Sequence, residues 1–208
     1  MPRQKLTRYE RINEDPRVIQ WLQEQRILFP DAKHIVLELA CGRWEYSVWL
    51  APHYPEKLFV WIDNKWDRIW VWLARAHEAW VENVRFVCGI IHHLDRWFAP
   101  ASIEEIRIVH PDPRPRGRDE RRRLTNPRFL AIYKALLKQW GMVRLKTDDR
   151  DLFTYSVQQF ADAGRECLST TTDLYSSTLL SDHHGVQTHY EKLALEEGKP
   201  ICYGVRKS

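Results

Sequence analysis

The chain is poor in the features that staple, anchor or repeat a protein. Among its 208 residues there are four cysteines, Cys41, Cys88, Cys167 and Cys202, too far apart to form a CxxC or Cys/His spacing. That argues against a disulfide framework and a zinc site, and the thiols are expected to be reduced and structural. No apolar run approaches the roughly 18 residues that span a bilayer, and the opening MPRQKLTRYERINEDPR has no apolar signal-peptide core. The expectation is a cytoplasmic protein with no membrane partner. Internal repeats, low-complexity tracts and linkers are also missing. One domain over residues 1–208 is therefore expected, residues 1–30 forming a basic N-terminal extension and first helix. The pairs His92-His93 and His183-His184 lack the i, i+4 spacing with a nearby acid that zinc enzymes use, so no metal is expected. Ser156, Ser169 and Ser181 sit in no nucleophile elbow, which leaves serine hydrolase chemistry unsupported. Nothing in the sequence reports an oligomeric state.

What the chain does have is charge, unevenly placed. Lys and Arg number 32 against 28 Asp and Glu, a net +4, so any electrostatic role rests on distribution rather than on the sum. Positive charge gathers at Arg3, Lys5, Arg8, Arg11 and Arg17, and again in HPDPRPRGRDERRR, His110–Arg123. Six arginines, Arg114, Arg116, Arg118, Arg121, Arg122 and Arg123, fall within ten residues there, directly after the proline-flanked Asp112. Guanidinium groups are planar, permanently charged and fork-shaped. A loop of them beside one fixed acid fits delivery of a phosphate-bearing substrate to that acid.

Hydrophobic periodicity predicts strands at His34–Leu39, Leu58–Asp63, Val84–Cys88, Glu105–His110, Met142–Thr147, Glu166–Thr171 and Ile201–Val205. Helices are predicted at Pro16–Gln25, Trp44–His53, Lys65–Trp80, Pro127–Gln139, Asp151–Ala163 and Tyr190–Glu197. Such alternation implies an α/β fold, a mostly parallel seven-stranded sheet with helices on both faces. Ligands of these sheets bind outside the carboxyl ends of the strands. Acids gather there: Glu38 in the first strand before the single-glycine turn Ala40-Cys41-Gly42-Arg43, Asp63 at the end of the second, Asp112 after the fourth, and Asp148 and Asp149 after the fifth. An acid placed like Asp63 can hydrogen-bond both hydroxyls of a ribose. Asp148 also has the alternative of capping the helix that follows it.

Several of these segments together resemble the bacterial tRNA (guanine-N7-)-methyltransferases. PDPRPRGRDERRRLTNPRFL (Pro111–Leu130) is similar to that family's Pro-Asp-Pro segment with its basic stretch ending in Arg-Leu-Thr. KTDDRDLF (Lys146–Phe153), THYEK (Thr188–Lys192), NVRF (Asn83–Phe86) and VLELACGRWEYSVWLA, in the place of the cofactor motif, follow the family's order. The resemblance implies a Rossmann-like class I methyltransferase fold, S-adenosylmethionine as methyl donor, tRNA as partner, and N7 of a variable-loop guanine as acceptor. By motif matching, Glu38, Gly42 and Asp63 would contact the cofactor and Asp112 would be the catalytic-site carboxylate, near both cofactor and guanine. Arg116, Asp148, Thr188, Tyr190 and Glu191 would hold the substrate.

Departures from the pattern concentrate on the cofactor side. Only Gly42 survives of a three-glycine turn, with Trp44 at its last glycine position, and Trp61 stands where the family tends to have glycine. Trp140 replaces another glycine, Gly89-Ile90-Ile91 lacks an acid often seen there, and His110 replaces a Phe. Seven of the ten tryptophans lie between Trp44 and Trp80. Indoles could either line an altered pocket or fill it. Two alternatives stay open beside the main reading: a catalytically impaired tRNA-binding protein on the same fold, and a small-molecule methyltransferase.

Overall fold

Short, almost continuous apolar runs are the pattern of parallel strands covered on both faces. In the computed structural model, which describes residues 14–19, 27–39 and 45–207, these runs become β2 (Ile35–Leu39), β3 (Leu58–Asp63), β4 (Val84–Cys88), β5 (Ile103–Val109) and β6 (Leu137–Thr147). A two-residue strand, β1 (Val18–Ile19), precedes them, and β7 (Glu166–Thr171) and β8 (Cys202–Lys207) follow. Among the described residues the sheet therefore has eight strands rather than the expected seven, in the order β1-β4-β3-β2-β5-β6-β8-β7. Pairing is parallel from β1 through β6 and antiparallel where β8 joins β6 and β7. From β2 the chain winds outward through β3 and β4, then returns to lay β5 on the other side of β2. That reversal opens a crevice outside the carboxyl ends of β2 and β5.

The helices are α1 (Glu45–Leu50), α2 (Trp66–Glu78), α3 (Leu94–Trp97), α4 (Pro127–Leu136), α5 (Arg150–Asp162) and α6 (His189–Glu196). The helix expected at Pro16–Gln25 is corrected where it can be seen. Val18 and Ile19 are extended and pair with Phe86 and Val87 of β4, while residues 20–25 lie outside the described residues. The helix expected to reach Gln139 stops at Leu136, because Leu137 enters β6. On α2 the buried stripe is Ile69, Trp72, Leu73 and Ala76. Trp80, the last residue of the helix expected over Lys65–Trp80, is 89% exposed beyond the helix end. Short α3 has no visible period in the sequence. Its Trp97 ring occupies the space that a Cβ at Gly89 would need, so the chain after β4 can pass only as glycine.

The two faces of the sheet differ. Ile35, Leu37, Leu39, Val60, Ile62, Ile106, Ile108, Val143 and Leu145 form one apolar core with Trp97, Phe129 and Tyr133. On the opposite face Val36, Phe59, Trp61 and Phe86 pack with Trp72 and Leu73 of α2, but β5 and β6 place Glu105, Arg107 and Lys146 in the interior, with Arg144 part-buried beside them. These charges are buried in pairs, as burial demands: Arg107 and Arg144 on Glu105, the latter at 3.0 Å, and Lys146 on Glu191 at 2.9 Å.

Candidate active site

The chain leaves β5 through an abrupt turn. His110 N–H still donates to the Lys146 carbonyl at 2.8 Å, extending the β5–β6 ladder by one residue. His110 then adopts φ 45°, and Arg114 φ 48°. Left-handed backbone at non-glycine residues costs about 1–3 kcal/mol each and persists only where surrounding contacts enforce it. Between the two bends, Pro111 and Pro113 lift Asp112 over the crevice. Arg114 fixes the acid from behind: its N–H donates to Oδ1 at 3.2 Å and its guanidinium pairs with Oδ2 at 3.0 Å. The carboxylate is nevertheless 59% exposed.

Asp112 stands where two clefts meet. One, of about 490 Å³, opens at the ends of β3 and β4 and is walled by Ile62, Ile90, Ile91, Leu124 and Phe129, with Asp63 at its base. The other, of about 340 Å³, opens at the ends of β5 and β6 and is framed by His110, Asp112, Thr147, Asp148, Asp149 and Tyr190. Arg68 also borders both. It reaches Asp63 Oδ2 at 3.0 Å, while Lys65 N–H donates to Asp63 Oδ1 at 2.8 Å.

The expected substrate residues divide between wall and floor. Asp149, not Asp148, caps α5, accepting from Leu152 N–H at 2.7 Å. That frees Asp148 to accept from His110 Nδ1 at 3.0 Å, a hydrogen bond that is the main reason its carboxyl is held below the usual range. Tyr190 is half-exposed in the same cleft. Thr188 and Glu191 lie beneath it as a reciprocal capping box at the start of α6, with Glu191 fully buried. Burial opposes Glu191's ionisation, but Lys146 and the Thr188 N–H outweigh it and its pKa is lowered. Arg116 is exposed in the loop, away from both clefts. Glu38 is buried in β2, its Cα in register with Trp61 and Arg107. Gly42 lies outside the described residues.

The six arginines have different partners. Arg114 holds Asp112, Arg122 pairs with Asp119 at 3.4 Å, and Arg123 donates to the Arg114 carbonyl while lying 4.4 Å over the Tyr155 ring. Arg116, Arg118 and Arg121 are exposed with no ion pair among the described residues, which leaves three cations for an external anion. Beneath the polar cleft, His183 is buried against Tyr46 of α1 and Tyr203 of β8, its Nδ1 2.6 Å from the Tyr46 hydroxyl. Burial and the neighbouring Lys146, Arg107 and Arg144 cations push its imidazole down to about 2.

Of the two tryptophans expected at the cofactor site, Trp61 is located and lies elsewhere. No tryptophan among the described residues lines either cleft. Trp61 is buried in the core beside α2, edge-on to Phe86 with ring centroids 4.6 Å apart. Trp140 is exposed on β6 under the Lys207 ammonium. Trp44 lies outside the described residues. Sequence reasoning treated His110 only as a departure and missed Arg68 and His183. The signal available was that His110 adjoins the Pro-Asp-Pro turn.

Comparison with known proteins bears on the same segments. A family model described as a putative methyltransferase matches residues 32–203. The tRNA (guanine-N(7)-)-methyltransferase of Cytophaga hutchinsonii is 36% identical over 177 residues, covering 84% of this chain and 80% of that protein. Its counterpart from Christiangramia forsetii is 39% identical over 176 residues, covering 84% and 79%. Among solved structures, the 16S rRNA methyltransferase KamB superposes with a TM-score of 0.64 at 13% identity, covering 88% of this chain and 94% of that one. A point mutant of the 16S rRNA (adenine(1408)-N(1))-methyltransferase of Catenulisporales acidiphilia, with cosubstrate SAM, gives 0.57 at 14% identity over 90% and 95%. The structural likeness establishes a Rossmann-like methyltransferase fold. The sequence match runs through every strand end that builds the two clefts, and on that ground the chain belongs to the tRNA (guanine-N(7)-)-methyltransferase family.

Proposed function

We propose that this chain transfers the methyl group of S-adenosylmethionine to N7 of a guanine in the variable loop of tRNA, in the cytoplasm, as one domain. The observation that carries the reading is the position of Asp112 on the wall shared by an apolar cleft and a polar one. The apolar cleft fits the cofactor: Ile62, Ile90, Leu124 and Phe129 offer flat walls for a purine, and Asp63 offers carboxylate oxygens for ribose hydroxyls. Glu38 belongs to the adjoining strand β2, and Gly42 follows it in the sequence. When bound, the cofactor supplies an electrophilic methyl group on a sulfonium.

Guanine N7 carries a lone pair and no proton, so the residues of this site need to orient the base more than to deprotonate it. As N7 takes up the methyl group the base gains positive charge. Asp112, its plane fixed by Arg114 and its oxygens retaining acceptor capacity, stabilises that charge in place. Asp148 and Tyr190 would hold the base within the polar cleft, with Thr188 and Glu191 setting the start of α6 beneath Tyr190. Arg116, Arg118 and Arg121 would follow the tRNA backbone, contributing position and salt-sensitive affinity rather than base identity. The test is mapping of N7-methylguanosine in tRNA incubated with the purified protein and S-adenosylmethionine. A product in the variable loop is expected. Binding of tRNA without any product would favour the catalytically impaired reading.

A further inference from the structure

His110 lies in the wall of the polar cleft. Its side chain is only 5% exposed, and the backbone hydrogen bond to Lys146 together with φ 45° sets where the ring can lie. Nδ1 donates to Asp148 Oδ1 at 3.0 Å. Nε2 is buried, makes no hydrogen bond among the described residues, and points toward Glu191 Oε2 at 4.0 Å. The ring centroid is 6.5 Å from that of Tyr190. A phenylalanine here would fill the space and leave Asp148 without its donor. The rest of the Asp148 carboxylate, about a third exposed, is left to the cleft.

We infer that His110 is a positioning residue that fixes Asp148 as an acceptor aimed into the polar cleft, where the target base is distinguished as guanine. The inference rests on the proposed function of that cleft. Guanine presents N1–H and the N2 amino group side by side, two donors that a carboxylate edge accepts. Adenine presents a lone pair at N1, which the same carboxylate repels. This discrimination needs the acid ionised and in one rotamer. The hydrogen bond from His110 holds the rotamer and favours the ionised form, being the largest influence lowering the Asp148 pKa.

The test compares the intact protein with His110→Phe, His110→Asn and Asp148→Asn. His110→Phe should raise KM for tRNA roughly tenfold, as expected for loss of one hydrogen bond to a charged group, with the KM for S-adenosylmethionine unchanged. His110→Asn, whose amide can still donate to Asp148, should restore most of the loss. His110→Phe on top of Asp148→Asn should add nothing, because the two act as one unit. A wild-type KM in His110→Phe, or additive losses in the double variant, would overturn the inference. Binding of tRNA carrying guanine or adenine at the target position separates this from failure of the proposed function. Discrimination that His110→Phe abolishes, in a protein that makes no N7-methylguanosine, would keep the inference and remove the methyltransferase reading. Equal binding of both tRNAs by the wild-type protein would overturn the inference itself.

Discussion

The two clefts that meet at Asp112 are built from opposite materials. The β3/β4 cleft is walled by isoleucines, Leu124 and Phe129 with one strand-end acid, Asp63. The β5/β6 cleft is framed by Asp148, Asp149, His110, Thr147 and Tyr190, and beneath it lie Lys146, Glu191 and His183. Their sheet faces fit the difference: Ile62, Leu124 and Phe129 belong to the apolar core on one face, whereas the charged Glu105, Arg107 and Lys146 of β5 and β6 lie on the opposite face. An apolar cleft holds a ligand by area and leaves one or two polar groups to orient it. A polar cleft resting on buried ion pairs can hold donors and acceptors at fixed positions without solvent reorganisation. One side is suited to retaining a cosubstrate, the other to reading a base.

Breaking the shared wall should have the largest effect. Asp112→Ala is expected to lower kcat by about 10²- to 10³-fold, the scale seen when a fixed electrostatic partner of a transition state is removed, with tRNA binding retained. Single-turnover rates and filter binding on the same preparation check both halves. Removing the acid of the apolar cleft should separate the ligands: Asp63→Ala weakens S-adenosylmethionine by roughly 10- to 100-fold, as for lost hydrogen bonds to a charged acceptor, and leaves the Kd for tRNA unchanged. Isothermal titration with the cosubstrate alone measures this, and an unchanged affinity would contradict the assignment of that cleft. Reversing Arg116, Arg118 and Arg121 together to Glu should act only on the polar partner. The salt dependence of log Kd for tRNA should lose a slope of about two, given roughly 0.7 per phosphate contact on single-stranded segments.

The smallest effect sharpens the comparison from below. His183 is neutral in the folded protein because its imidazole is held down to about 2, whereas the unfolded chain binds a proton there near pH 6.5. A depressed folded value means that acid favours the unfolded state. The penalty is absent well above pH 6.5, grows as pH falls through that value, and reaches about 2 kcal/mol between pH 7 and pH 5. His183→Asn, which cannot take up the proton, should remove that part of the acid sensitivity in urea melts at the two pH values. An unchanged pH slope would show that other groups carry it.

Much of this was legible in the sequence. The seven expected strands are present because β-branched, alternating or fully apolar runs bounded by polar turns admit few other conformations. Asp63, Asp112 and Asp148 were legible because strand ends are where an α/β sheet exposes acids. Three things were not. β1 is two residues long and exists only through pairing with β4, a tertiary contact with no local period. The destination of Trp61 depends on which face of β3 turns toward α2, and a residue beside the expected cofactor turn can face the core instead. The burial of Glu191 depends on Lys146, forty-five positions earlier in the chain, reaching the same point from β6.

The central claim is that Asp112 joins a cosubstrate cleft to a guanine cleft, and nucleotide-resolution mapping of N7-methylguanosine tests it most directly. Purified wild-type protein with S-adenosylmethionine and unmodified tRNA should place the methyl group at one variable-loop guanine, and Asp112→Ala should place none while binding the tRNA equally well. Methylation undiminished in Asp112→Ala, or tRNA bound and left unmethylated by the wild-type chain, would contradict the account.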